Sequence, residues 1–209
     1  MAKRLFIYII SIIRLGFLMI AVHQAWRGDW AGVFVAVQAL LISFLPNLLK
    51  RYFGIHTPFA LRVGTVFFMF ATLILGEMAD FYNTFWWWDL ILHGAASAGI
   101  TLIGFISLFI FFTHIDLRSS AIFATLLAIG LALSAAVMWE LYEFVIDTLF
   151  TTDSPMQPSN VDTMTDLAVS VVGALLVSVS GYRYITRRSK DVIGRVIHDG
   201  TIRNTTATF

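Results

Sequence analysis

Six apolar stretches follow one another along this chain, at roughly residues 5–26, 31–49, 60–81, 87–113, 119–148 and 162–185. About 18 apolar residues already suffice for a helix to cross a bilayer. A backbone placed in lipid must satisfy every N–H and C=O internally, which leaves only helices and closed barrels. Runs of this length are those of helices. Only 13% of the residues are charged and 58% are hydrophobic, whereas a soluble domain is about a quarter charged. The expected fold is therefore all-α, a polytopic membrane helix bundle of about six transmembrane helices.

The joints between the spans are polar or turn-forming: Arg27-Gly28-Asp29, Lys50 to Pro58, Asn83-Thr84, His114 to Ser120, and Thr151 to Asn160 with Pro155 and Pro158. The chain opens Met1-Ala2-Lys3-Arg4 and is apolar from Leu5 to Ile13, as a signal peptide would be. The apolar run continues past Arg14 to Trp26 without a small-residue cleavage site, so it reads as a retained first span. Residues 186–209 are basic and polar, with too few apolar side chains for a core. The expected organisation is one transmembrane bundle over 1–185 and a basic cytoplasmic tail over 186–209. There is no cysteine, which excludes disulfides, thiolate metal sites and cysteine nucleophiles.

Charge is segregated by side. With the amino terminus inside, the cytoplasmic segments hold Lys3, Arg4, Lys50, Arg51, Arg62, Arg118, Arg183, Arg187, Arg188, Lys190, Arg195 and Arg203, while the outer segments hold only Arg27. Positive charge stays on the cytoplasmic side, so both termini are expected there, in a prokaryotic cytoplasmic (inner) membrane. The six tryptophans agree, since Trp26, Trp30, Trp86, Trp87, Trp88 and Trp139 all fall near outer span ends, where an aromatic belt sits. A cysteine introduced at Asp153 should then react with an impermeant thiol reagent in intact cells, and one at Ser189 should not. The opposite labelling would invert the topology.

The acids collect on the outer side, where they gather on three helix ends. Residues three, four and seven apart share a helix face, so Glu140, Glu143 and Asp147 form one stripe, Asp162 and Asp166 a second, and Asp89 with His93 a third. The fourth span enters from outside, the fifth leaves toward it and the sixth enters again, so the three stripes share a depth. Carboxylates are among the costliest groups to place in lipid, and a cluster of them marks function. With Arg27 the only outer basic residue, six carboxylates in one pocket cannot all stand charged and unpaired. Three resolutions are open: bound cations, a partly protonated polar network, or acids solvated at the water interface.

A metal site would take Asp89, His93, Glu140, Glu143, Asp147, Asp162 and Asp166 as ligands, with Tyr142 and Thr163 beside them as supporting groups. Oxygen ligands with one imidazole suit a divalent metal (Zn, Mn, Fe or Mg), and this many acids could hold two ions. Small residues lie a turn or two deeper on the same spans, namely Gly94, Ala95, Ala98 and Gly99, then Gly130 and Ser134, then Ser170, Gly173 and Ala174. Such residues let membrane helices approach closely. Elsewhere the bland reading holds. Glu77 and Asp80 end the third span facing water, Arg14 needs a structural partner within the first, and His23, His56, His114 and His198 lack a second polar group at helical spacing. No phosphate loop, His-Glu-x-x-His motif or nucleophile elbow is present.

The Asp-x-x-x-His of Asp89 and His93, the Glu-x-x-Glu of Glu140 and Glu143, and the Asp-Thr-x-x-Asp of Asp162, Thr163 and Asp166, followed by Gly173-Ala174, resemble the YjdF family of bacterial inner-membrane proteins. A more distant similarity is to VanZ-like membrane proteins, which carry an Asp…His helix, an acidic helix and an Asp-rich helix in the same order. The resemblance covers the last three spans. It implies the fold and the three motifs, and brings no activity with it.

Three functions fit such a cluster. A metal-dependent hydrolase or transferase could act on a lipid or lipid-linked substrate reaching the site from the bilayer, with Glu143 or Asp147 as general base. A metal-stabilised scaffold or accessory protein needs the same ligands and no turnover. A proton- or ion-coupled transporter needs polar groups continuing inward, where the spans offer mainly Arg14 and hydroxyls such as Ser43, Ser107 and Ser178. The partner in every case is the lipid bilayer; no nucleic acid is expected.

Overall fold

The computed structural model describes residues 2–111, 120–150, 156–189 and 191–205, and every regular element among them is helical. The elements are α1 (Ala2–Arg27), α2 (Trp30–Phe53), α3 (Phe59–Met69) running into a π-helical stretch (Phe70–Met78), α4 (Phe81–Thr84), α5 (Trp88–Phe111), α6 (Ala121–Phe150), α7 (Asn160–Arg187) and α8 (Val192–Thr205). Six helical segments are long and apolar enough to cross a membrane: Phe6–Arg27, Gly32–Tyr52, Phe59–Met78, Trp88–Phe111, Ala121–Leu149 and Asn160–Arg187. They coincide with the six apolar runs, as expected of a polytopic bundle. His114, Arg118, Asp153, Pro155 and Lys190 lie outside the described residues.

The chain folds as two compact units, Met1–Trp88 and Asp89–Phe209. In the first, α1 and α2 form a hairpin whose turn is written locally. Gly28 takes φ 77°, a region that favours glycine, and Asp29 caps α2 by accepting from Gly32 N (3.0 Å) and from Gln24 Nε2 (2.7 Å). Its core is Ile13, Phe17, Ala21, Ala36, Ala39, Val66 and Leu73. Arg14 finds the partner its position demands. Its Nε donates to Ser43 Oγ (3.1 Å), its Nη2 to the Ser43 carbonyl (2.5 Å), and the guanidinium lies 3.8 Å from the Phe44 ring centroid. Glu77 and Asp80 are exposed, and Asp80 accepts from Asn83 Nδ2 at 2.6 Å.

The second unit holds α5 to α8. Helix α6 turns Phe123, Leu131, Met138, Leu141 and Phe144 outward, a face suited to lipid, and buries Ala124, Ala128, Ala132 and Ala136. That alanine stripe recurs every four residues and leads, one turn on, to the buried Glu140. The small residues expected to seat α6 do not do so, since Gly130 and Ser134 are exposed. The close approaches are made elsewhere. A Cβ added at Gly173 would collide with the Gly94 carbonyl, one at Gly181 with the Phe105 ring, and one at Gly104 would come 3.1 Å from Ala128 Cα. Helices α5, α6 and α7 are thereby brought close enough for their acid-bearing ends to meet.

The basic tail lacks a core of its own, yet 192–205 is helical because α7 supplies one. Ile197 is fully buried, Tyr184 and Ile185 of α7 are buried as well, and Tyr184 Oη lies 3.0 Å from His198 Nδ1. Asp191 caps α8 by accepting from Gly194 N at 2.6 Å.

Candidate functional site

All seven acid and histidine positions singled out by spacing lie in the second unit, on α5, α6 and α7. Helix α5 opens with Asp89 and places His93 one turn on; α6 ends with Glu140, Glu143 and Asp147; α7 begins with Asp162 and Asp166. Four of these side chains are buried: His93 (8% exposed), Glu140 (5%), Glu143 (7%) and Asp166 (1%). Asp89, Asp147 and Asp162 are half-buried.

His93 is the centre of the arrangement. Its Nε2 lies 3.6 Å from Asp89 Oδ1 and its Nδ1 lies 3.6 Å from Glu140 Oε1. Ser170 Oγ lies 3.5 Å from the His93 carbonyl, tying α7 to α5 beneath the ring. Both ring contacts are longer than the 2.7–3.2 Å of a good N–H···O bond. They are close to the roughly 3.0–3.5 Å that separates two ligand atoms on one cation with bonds of about 2.1 Å. Two sets of residues bring one ligand atom each to within 4.8 Å of one another: Asp89, His93 and Asp166, and His93, Glu140 and Glu143.

The electrostatics are one-sided. No Lys or Arg occurs anywhere in 63–117 or 119–182, which includes every part of α5 and α6 and most of α7. Among the described residues, Glu140 Oε1 and Asp166 Oδ1 are buried without a hydrogen-bond partner. Leaving a buried acceptor unsatisfied costs about 1–3 kcal/mol, and more if it is charged.

Two further oxygens are held by neutral side-chain donors. Trp139 Nε1 donates to Glu143 Oε1 (2.8 Å), and Gln157 Nε2 donates to Glu140 Oε2 (3.2 Å). Asp147 has a different job from the other acids. Its Oδ1 accepts from Met156 N (2.8 Å) and its Oδ2 from Gln157 N (2.9 Å), so it fixes the segment leading into α7. Neither Asp147 nor Asp162 falls in the two ligand groups. Asp162 sits in the first turn of α7, where Ser159 caps the helix by accepting from Asp162 N at 3.1 Å. Tyr142 packs its ring 5.0 Å from that of Trp139, and Thr163 N donates to the Ser159 carbonyl at 3.3 Å.

Sequence reasoning missed Trp139 and Gln157 as members of the cluster. The first was visible in principle, since Trp139 and Glu143 are four apart on one helix. Gln157 left no such signal, because a loop residue has no fixed spacing to Glu140.

A curated relative, an uncharacterized protein of Thermotoga maritima, is 30% identical over 125 residues, 57% of this chain and 60% of its own length. The chain thus covers less than two thirds of that relative. No solved structure matches. Residues 5–187 match the model of a family described as "Predicted membrane protein (DUF2238)", and this chain belongs to that family.

Proposed function

We propose that the cluster binds a divalent cation at the outward face of the bacterial inner membrane, and that the protein is a metal-dependent hydrolase or transferase acting on a lipid or lipid-linked substrate. The observation that carries this is the burial of Glu140, Glu143 and Asp166 around one imidazole with no basic residue to pair them. A cation would relieve that repulsion, and His93, Glu140, Glu143 and Asp166 are the residues that would chiefly hold it. Zn, Mn, Fe and Mg all suit such donors. The likeness to the YjdF family of inner-membrane proteins supports the inner membrane, and the positive charge gathered on one side supports cytoplasmic termini.

Phosphate-bearing substrates follow from the same charge pattern. With no Lys or Arg in 63–117 or 119–182, an anionic headgroup at the cluster would be met by the cation, which would also activate the attacking water. Of the two carboxylates considered as bases, Asp147 is committed to backbone amides, which leaves Glu143, steadied by Trp139; it would ligate through one oxygen and take that proton with the other.

Helices α5 and α7 are in close contact at Gly94–Gly173 and Phe105–Gly181, which speaks against a polar path between those two helices. A non-catalytic scaffold remains the second reading, favoured by the way Asp147 and Gln157 tie the α6–α7 segment to the cluster. The test is metal analysis of purified protein followed by Mn²⁺-dependent phosphate release from phospholipid or polyprenyl-phosphate micelles. Release lost on removing the metal and reduced at least 100-fold in Glu143→Gln is the expected result. Bound metal with no turnover on either substrate class would favour the scaffold.

A further inference from the structure

The imidazole of His93 stands between two ligand groups rather than within one. Its Nδ1 faces Glu140 and its Nε2 faces Asp89, each at 3.6 Å; Glu143 shares a ligand group with Glu140, and Asp166 one with Asp89. A neutral imidazole has one lone pair to give, so it can ligate on one side only, and its other nitrogen carries a proton. With the cation on the Nδ1 side, the Nε2–H faces Asp89 Oδ1, which orients the ring and leaves the second oxygen of Asp89 available. Asp166, named above among the residues for a cation, is not in the ligand group of Glu140 and Glu143. It is 1% exposed, its Oδ1 has no hydrogen-bond partner, and it shares its group with Asp89. Asp162 lies four residues before Asp166 on α7, on the same helix face and half-buried.

We infer that Asp89, Asp166 and Asp162 form a second cation seat, built of oxygen ligands only, beside the seat at His93, Glu140 and Glu143. This rests on the metal reading above and adds to it a second ion and its chemistry. Charge supports it: five ionised carboxylates around one dication leave three negative charges, whereas two dications leave one. The two seats also differ in kind. One nitrogen donor suits a transition metal, while a set of carboxylates at the half-exposed edge suits a hard ion such as Mn²⁺ or Mg²⁺. Asp89 would link them, facing the His93 ring at 3.6 Å with one oxygen and ligating with the other. Two neighbouring cations would also give a phosphate group two points of attachment.

The experiment is Mn²⁺ loading of the purified full chain, with metal content and electron paramagnetic resonance as readouts. The wild type should hold two Mn²⁺ per chain and show the coupled signal of neighbouring ions. Asp166→Asn and Asp162→Asn should each hold one, with the signal of an isolated ion, while His93→Ala should lose the other. If Asp166→Asn fails to fold, Asp89→Asn at the half-exposed edge carries the same expectation. One Mn²⁺ in the wild type, lost in His93→Ala, would overturn the second seat and leave the first standing. Two ions persisting in the aspartate variants would overturn the assignment of ligands. No bound Mn²⁺ at all would overturn both readings.

Discussion

Glu140→Gln should release bound metal and lower the melting temperature together. Glu140 is 5% exposed, its Oε1 faces His93 Nδ1 at 3.6 Å, and its Oε2 is already held by Gln157. Gln keeps the shape and the Gln157 contact region but removes the charge a cation needs. Metal binding is linked to folding, so a ligand present at 100 times its dissociation constant contributes about 2.7 kcal/mol of stability. That amount should be lost in Glu140→Gln, in His93→Ala and in wild-type protein treated with chelator. A protonated network makes the opposite forecast: Gln would replace a neutral acid of similar shape, with stability unchanged or raised. Chelator without effect, together with an unperturbed Glu140→Gln, would eliminate the cation.

Gly173→Ala should be among the most destabilising single-methyl changes in the chain. The added Cβ would run into the carbonyl of Gly94, a backbone atom that cannot rotate away. Overpacking usually costs about 1–3 kcal/mol, and a backbone-on-backbone clash belongs at the upper end. Helix α7 would have to shift from α5, parting Asp166 from Asp89 and His93, so metal content should fall with the melting temperature. Gly130→Ala is the control. Gly130 is exposed with nothing within 4 Å of a new Cβ, and alanine is the better helix former, so stability should hold or rise slightly. Equal behaviour of the two variants would show that the Gly94–Gly173 contact does not seat the helices.

The spans, and the stripes of acids within them, were legible in the residues alone. Both signals are local: hydrophobic length decides what can cross a bilayer, and a fixed helical period decides which acids share a face. His93 and Asp89, Glu140 and Glu143, and Asp162 and Asp166 could therefore be grouped before any contact was known. Periodicity is silent about which side of a helix meets which neighbour. It assigned Gly130 and Ser134 to an interface, whereas α6 turns them outward and packs on Ala124, Ala128 and Ala132.

Tertiary structure alone separated the acids by role. Asp147 shares a stripe with Glu140 and Glu143, yet the chain doubles back so that the amides of Met156 and Gln157 reach it. The same return brings the Gln157 side chain onto Glu140, a contact across seventeen residues that no spacing rule contains. Helix α8 is a similar case. Its own apolar residues are too few for a core, and among the described residues α7 meets it through Tyr184, whose hydroxyl lies against His198. Local chemistry determines which groups a helix carries; the energy of burying them depends on partners from distant parts of the chain, and those are chosen by packing.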